Sequence, residues 1–258
     1  MRSLSLQDFE GRRELKSTFK LNLGLILFCL LIGQLGLAQA EEPTPNHLVE
    51  VEINQDNLAP YKQRRDPYSI NFSLNYEHLE LKNYQSVLDN STYSTMFNGE
   101  ALPLIGLSLS YQYNFFLGSL SLGLNYGMGS ISGSASGADR SLDITKYGGS
   151  LRYTADMIMQ EPYVAPYLGL QMWQFTLDEK SPTDSFSGST QWGTAFTLGL
   201  LIQLNWIDWD TARQTTFNWG LENTFLDIFL TKYGKTNSDE DPNTETDFVY
   251  GAGLHLEF

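Results

Sequence analysis

The sequence has a single cysteine, Cys29, and it sits in an apolar stretch near the start. Phe28 precedes it, where a lipoprotein acylation site would take a small residue. If that stretch is a cleaved leader, the remaining chain has no thiol. Disulfides, thiolate metal sites and cysteine nucleophiles are then excluded. Basic residues are also scarce, with 16 Lys and Arg against 30 Asp and Glu. Nucleic acid is excluded as a partner, because neutralising phosphate needs clustered cations. A clean apolar run long enough for a spanning helix is missing too. The best stretch, 21–33, is interrupted by Asn22, Gly24 and Gly33, short of the roughly 20 residues required. Finally, the segment from Leu102 to Ser132 contains no Asp, Glu, Lys or Arg.

Residues 1–40 have the order of a secretory signal peptide. Arg2, Arg12, Arg13, Lys16 and Lys20 precede the apolar core, and Ala38-Gln39-Ala40 supplies the small-residue exit. Removing this segment leaves 11 basic and 27 acidic residues, a net charge of −16. Residues 41–67 are polar, carry Pro43, Pro45, Pro60 and Pro67, and read as a periplasmic linker. Lys62, Gln63, Arg64 and Arg65 form a basic cluster just before the next segment. It suits either anionic headgroups or a plain linker.

From Tyr68 to Phe258 apolar residues alternate with small polar ones, the period of a two-faced strand. Tyr68, Ile70, Phe72, Leu74 and Tyr76 open the pattern. Leu120, Leu122, Leu124, Tyr126 and Met128 alternate with Ser121, Gly123, Asn125 and Gly127. Phe248 to Phe258 ends it without a break. Eight such segments are expected, the seventh starting at Phe217 and regaining phase through a bulge at Asn223–Phe225. Pro103 and Pro166 belong at strand ends or bulges, since proline cannot donate to a ladder.

A soluble β-sandwich or lipocalin-like barrel also alternates, but it turns its large apolar side chains inward. An uncharged Leu102–Ser132 is unsuited to the surface of so acidic a soluble protein. In a bilayer the apolar row meets lipid and the Ser, Gly and Asn row lines a narrow interior. Aromatics gather near the strand ends, as interfacial girdles require. Connections alternate short and long, so the long ones are expected outside the cell.

This pattern, with the terminal Phe258, resembles the small eight-stranded outer-membrane barrels of the OmpA-transmembrane, OmpX and OmpW type. The resemblance implies an all-β, antiparallel up-and-down barrel over 68–258 in the outer membrane of a Gram-negative bacterium. It implies lipid and lipopolysaccharide as surroundings, and barrel-assembly machinery that reads Phe258. An extracellular ligand of the loops is a further expected partner. No cofactor, metal or catalytic set is expected.

Inward-facing polar residues are expected at Glu77, Lys146, Arg152, Gln171, Gln203, Glu222, His255 and Glu257. They form either a static plug that pairs buried charges or a gate in a narrow channel. Ser and Gly inside leave room for water, whereas Tyr163, Tyr167 and Trp173 would fill it. His78-Leu79-Glu80 near the outer rim and His255 with Glu257 are the only hints of acid–base chemistry, with no serine at a defensible spacing. Asp239, Asp241 and Asn243 copy the opening of an EF-hand loop, but Thr244 and Tyr250 replace its glycine and closing glutamate. The expected role is a non-enzymatic surface barrel. The alternatives are a small-solute channel and, further off, a lipid-modifying enzyme.

Overall fold

The computed structural model describes residues 59–134, 137 and 139–258. The expected signal peptide and most of the linker lie outside the described residues. Nine strands form: β1 Tyr68–Leu79, β2 Leu102–Phe115, β3 Gly118–Gly133, β4 Arg140–Thr154, β5 Val164–Lys180, β6 Ser185–Ser189, β7 Gly193–Gln203, β8 Asn223–Thr236 and β9 Phe248–Glu257. Among the described residues three α-helices accompany them: α1 Tyr61–Arg64, α2 Tyr93–Phe97 and α3 Trp209–Trp219. Every pairing is antiparallel. The order β4-β3-β2-β1-β9-β8-β7-β5 closes through β4–β5, giving an eight-stranded barrel. β6 pairs only with the far end of β5 and continues the wall above β7. Closure leaves no free edge in the eight-stranded wall, the condition for crossing a bilayer with strands. Among the described residues no helix is long and apolar enough to cross one.

The lower barrel is inside out. Leu120, Leu122, Leu124, Tyr126 and Met128 of β3 are exposed, Leu124 at 70 %, while Ser121 points inward and is buried. Ten such residues suffice for a tilted strand to cross the hydrocarbon, yet β3 has 16 and β5 has 17. The excess is explained by a reversal of polarity. Beyond Met172, the outward row of β5 becomes Gln174, Thr176, Asp178 and Lys180, and the inward row becomes Trp173, Phe175 and Leu177. β4 does the same, with Leu142 and Ile144 buried inside. The upper barrel therefore has a water-soluble plan, with its own apolar core of Leu79, Leu81, Met96, Phe97, Leu102, Trp173, Phe175 and Tyr233. The β1–β2 loop, residues 80–101 with α2, supplies Leu81, Tyr84, Tyr93, Met96 and Phe97 to it.

Several expectations are corrected. The seventh strand does not start at Phe217. Asp208 caps a helix there, its side chain accepting from the Thr211 amide at 3.1 Å, and Gly220 at φ +67° ends it. A side-chain cap and a left-handed glycine outweigh three residues of alternation. β8 then starts at Asn223 in steady phase, with Asn223 and Asp227 buried and Ile228 and Leu230 exposed, so no bulge is needed. The irregularity in this pair lies at Gly193/Ala195. Consequently the β7–β8 connection is long. The β3–β4 connection, expected to be long over 130–141, spans only 134–139, because both strands extend above the lipid level. Pro103 and Pro166 do fall at strand ends, second in β2 and third in β5.

The end of the expected linker is folded against the barrel. α1 sits at the mouth where β1 begins and β9 ends, with Tyr61 buried. Two of the basic residues are held by acids: Arg65 donates to both oxygens of Asp156 at 2.8 and 2.7 Å, and Arg64 pairs with Glu222, while Lys62 and Gln63 stay exposed.

Candidate functional site

The residues that converge on one another line the lumen, in three layers. The first closes the mouth beside α1, around Glu257. Its carboxylate accepts from Tyr61 Oη at 2.7 and 2.8 Å, Gln112 Nε2 at 2.9 Å, Asn223 Nδ2 at 2.9 Å and Ser69 Oγ at 3.3 Å. Gln203 Nε2 donates to Asn223 Oδ1 at 2.7 Å, and Ser121 Oγ and Asn71 Nδ2 donate to Gln112 Oε1. A carboxylate with four donors is satisfied without a cation in contact. Beside it, Asp156 takes Arg65 and Ser119 Oγ at 2.8 Å.

The second layer lies in the lower barrel. Arg152 stacks over Tyr167, 4.3 Å from guanidinium carbon to ring centre, and stands 3.8 Å from Asp227. Tyr167 Oη donates to Asp227 Oδ1 at 2.8 Å. His255 Nδ1 lies 2.7 Å from Ser73 Oγ and 3.4 Å from Arg152 Nη1. Gln171 Nε2 donates to Thr197 Oγ1 at 3.0 Å, which in turn meets Thr231 Oγ1. A cavity of about 40 Å³ remains, lined by Asn75, Ser108, Asn125, Ser150, Arg152 and Gln171 among others. At ~10–15 Å³ per water centre it holds about three waters.

The third layer is a triad. Lys146 Nζ meets Glu77 Oε1 at 2.8 Å and Tyr233 Oη at 2.7 Å, and Tyr233 also donates to Glu77 Oε2. Trp173, Phe175 and Tyr233 pack above it, centroids 4.3 to 5.7 Å apart. The interior glycines explain how such rings fit. A Cβ on Gly199 would lie 2.2 Å from the Tyr167 ring, and one on Gly193 would lie 2.5 Å from Trp173. Small residues inside the barrel thus make room for aromatics rather than for a stream of water.

Of the residues named from the sequence, Glu77, Lys146, Arg152, Gln171, Gln203, His255 and Glu257 all face the lumen and join these layers. Glu222 does not. It precedes β8, at the mouth, because α3 displaces the strand start. Tyr163, weighed as a lumen filler, is exposed instead. Missed were Tyr61, Arg65 and Asp156, which no periodicity marks, and Tyr233, which the inward phase running from Asp227 does indicate.

Ser73 and His255 form a serine–histidine contact that sequence spacing hid, because they face each other across β1 and β9. Both are buried, and Ser73 and Arg152 occupy the same ring nitrogen. His78 stacks on Tyr250 at 4.7 Å and has no hydroxyl partner among the described residues. In the fourth loop, Asp241 Oδ2 accepts from the Gln191 amide at 2.6 Å and Asn243 Oδ1 from the Glu245 amide at 3.1 Å. These carboxylate and amide oxygens hold the loop itself. Among the described residues no group of three or more His, Cys, Asp or Glu could hold a metal ion.

Outside, Glu179 is buried under the first loop. It accepts from Tyr84 Oη at 2.9 Å, Ser86 Oγ at 2.5 Å and the Val87 amide at 3.2 Å, with Arg140 at 3.5 Å. Arg140 also holds Asp89, and that guanidinium, helped by the Ser91 amide, keeps the Asp89 carboxyl well below the usual carboxylate range.

Closure, inverted lower faces and a filled lumen define a small eight-stranded β-barrel of the outer-membrane type. No protein-family model matches the sequence, and a search of curated proteins finds no relative. Among solved structures the chain is similar to the outer membrane protein OprG of Pseudomonas aeruginosa, at 15 % identity over 74 % of this chain and 95 % of that one, with a TM-score of 0.46. It is similar to Ail, the attachment invasion locus protein of Yersinia pestis, at 15 % identity over 74 % and 94 %, TM-score 0.36. The N-terminal β-barrel domain of Pseudomonas aeruginosa OprF gives 12 % identity over 74 % and 97 %, TM-score 0.39.

Proposed function

We propose that this chain is a closed, non-enzymatic barrel of the outer membrane that holds a rigid surface platform above the lipid. The single observation that carries the reading is the lumen. Three successive layers of mutually bonded side chains cross it, and an apolar core caps it. Buried ions held by one another or by several fixed donors favour a static plug over a gate. The upper barrel adds a soluble-plan wall and a first loop pinned by Glu179, a surface suited to an extracellular partner or to stiffening the envelope. A Ser73–His255 pair buried in the lumen has no access to lipid substrates, which favours a non-enzymatic role.

The second reading is a narrow channel. It is favoured by the polar cavity between the Arg152 and Lys146 layers, which a rearranged ion pair would extend. Single-channel conductance of the purified protein in planar bilayers separates the two. A closed barrel gives no conductance steps at moderate voltage. Regular steps that survive extensive purification overturn the proposal and establish the channel.

A further inference from the structure

The β7–β8 connection ends the barrel in an unusual way. Trp206 and Ile207 follow β7 in a short 3-10 turn, and α3 continues from Trp209 to Trp219. None of the α3 residues is buried. Trp206, Ile207, Trp209, Phe217 and Trp219 are all exposed, Trp219 at 79 %. At 100° per residue, Trp209, Phe217 and Trp219 fall in one half of the helix, and Thr211, Gln214 and Asn218 in the other. Ala212, Arg213 and Thr216 share the aromatic half and are half-buried, so the three rings flank a covered strip of the helix and themselves stay exposed.

We propose that α3 is an in-plane anchor that docks its aromatic side into the headgroup layer of the periplasmic leaflet. This rests on the outer-membrane reading of the barrel and goes beyond it. Continuity with the lipid-facing wall identifies the occupant. Leu200 of β7 and Ile228 of β8 are exposed just above the connection, so the apolar surface runs down the wall into Trp206 and Ile207. The other two connections at this end are tipped the same way, by Phe116 and Leu117 and by Ile158 and Met159, all exposed. Tryptophan is the side chain best suited to that layer, having a large apolar ring and one donor. The charged residues of α3 are one acid and one base, Asp210 and Arg213, bonded to each other at 2.5 Å. Docking therefore depends on the rings and is expected on zwitterionic lipid as well as anionic lipid.

The test places one thiol at a time in a Cys29→Ser background, each carrying a nitrobenzoxadiazole label. Protein is reconstituted in nanodiscs of phosphatidylcholine brominated at a shallow or a deep acyl position. Leu124→Cys on the mid-barrel wall is expected to lose emission chiefly to deep bromines. Trp219→Cys is expected to lose it chiefly to shallow ones, and Asn218→Cys to neither while remaining open to aqueous iodide. Phe217→Cys repeats the measurement should Trp219→Cys fail to give the heat-shifted folded band. If Leu124 is quenched and positions 217 and 219 remain open to iodide, α3 hangs in the periplasm and the inference fails alone. If Leu124 is not quenched either, the barrel is not in lipid and both readings fall.

Discussion

Replacing Lys146 by methionine isolates the electrostatics of the lumen. Lys146 and Glu77 are 4 % and 6 % exposed, 2.8 Å apart. At an effective dielectric constant of 20 their attraction is about 6 kcal/mol. Desolvating the two ions costs several kcal/mol each, so the intact pair contributes little net. Removing one partner is different, because Glu77 is then left charged and buried with only Tyr233 to donate to it. The expected cost is about 3–5 kcal/mol. Lys146→Met with Glu77→Gln removes both charges and keeps an acceptor for Tyr233, so most of that loss is expected to return. Equilibrium urea unfolding in lipid vesicles, followed by tryptophan emission and by heat-shifted gel mobility, reads all three variants. A single-variant loss under about 1 kcal/mol, the scale of an exposed pair, would refute the reasoning. So would a double variant no better than Lys146→Met, since that would mean packing and not charge sets the cost.

Leu124→Arg puts a cation on the middle of the lipid face and is expected to cost roughly 2–4 kcal/mol in the same assay; no effect would mean that face is in water. Deleting Phe258 removes the reciprocal amide bonds to Ile70, both 2.9 Å, that fasten the last strand to the first. Slower barrel assembly into vesicles is the expected outcome, and an unchanged rate counts against any role of that end in closure. The Asp89–Arg140 contact gives a pH dependence. The Asp89 pKa is depressed in the folded state, so its contribution is present above the unfolded value of about 4 and fades as pH falls through the lower folded one. The first loop should therefore resist an acid-tolerant protease at pH 5 and yield at lower pH first, whereas Asp89→Asn should yield equally at both.

The wall was legible in the sequence because period two survives any tertiary context. The alternation puts Lys146, Arg152 and Gln171 inside and Leu122 and Leu124 outside, where the structure has them. Two kinds of feature escaped. The polarity reversal above Met172 keeps the same period while swapping faces, so alternation alone registers a continuous strand. Helix α3 is hidden in the sequence because Phe217, Trp219 and Leu221 mimic a strand over five residues, whereas the deciding signals, Asp208 and Gly220, lie at its two ends. Within the lumen, partners come from adjoining strands, from strands across the barrel and from α1, so pairs such as Ser73 with His255, Lys146 with Glu77 and Tyr61 with Glu257 depend on register, on closure and on a segment with no periodicity.

The central claim is that the lower barrel wears its apolar row on the outside, in lipid. Solid-state NMR of the unmodified protein in bilayers tests it directly, by transferring magnetisation from lipid acyl chains to protein side chains. Leu120, Leu122, Leu124, Tyr126 and Met128 are expected to receive it, and Ser121 and Asn125, their neighbours in β3, to receive little. Transfer to none of these residues, or equal transfer to both rows, would contradict it.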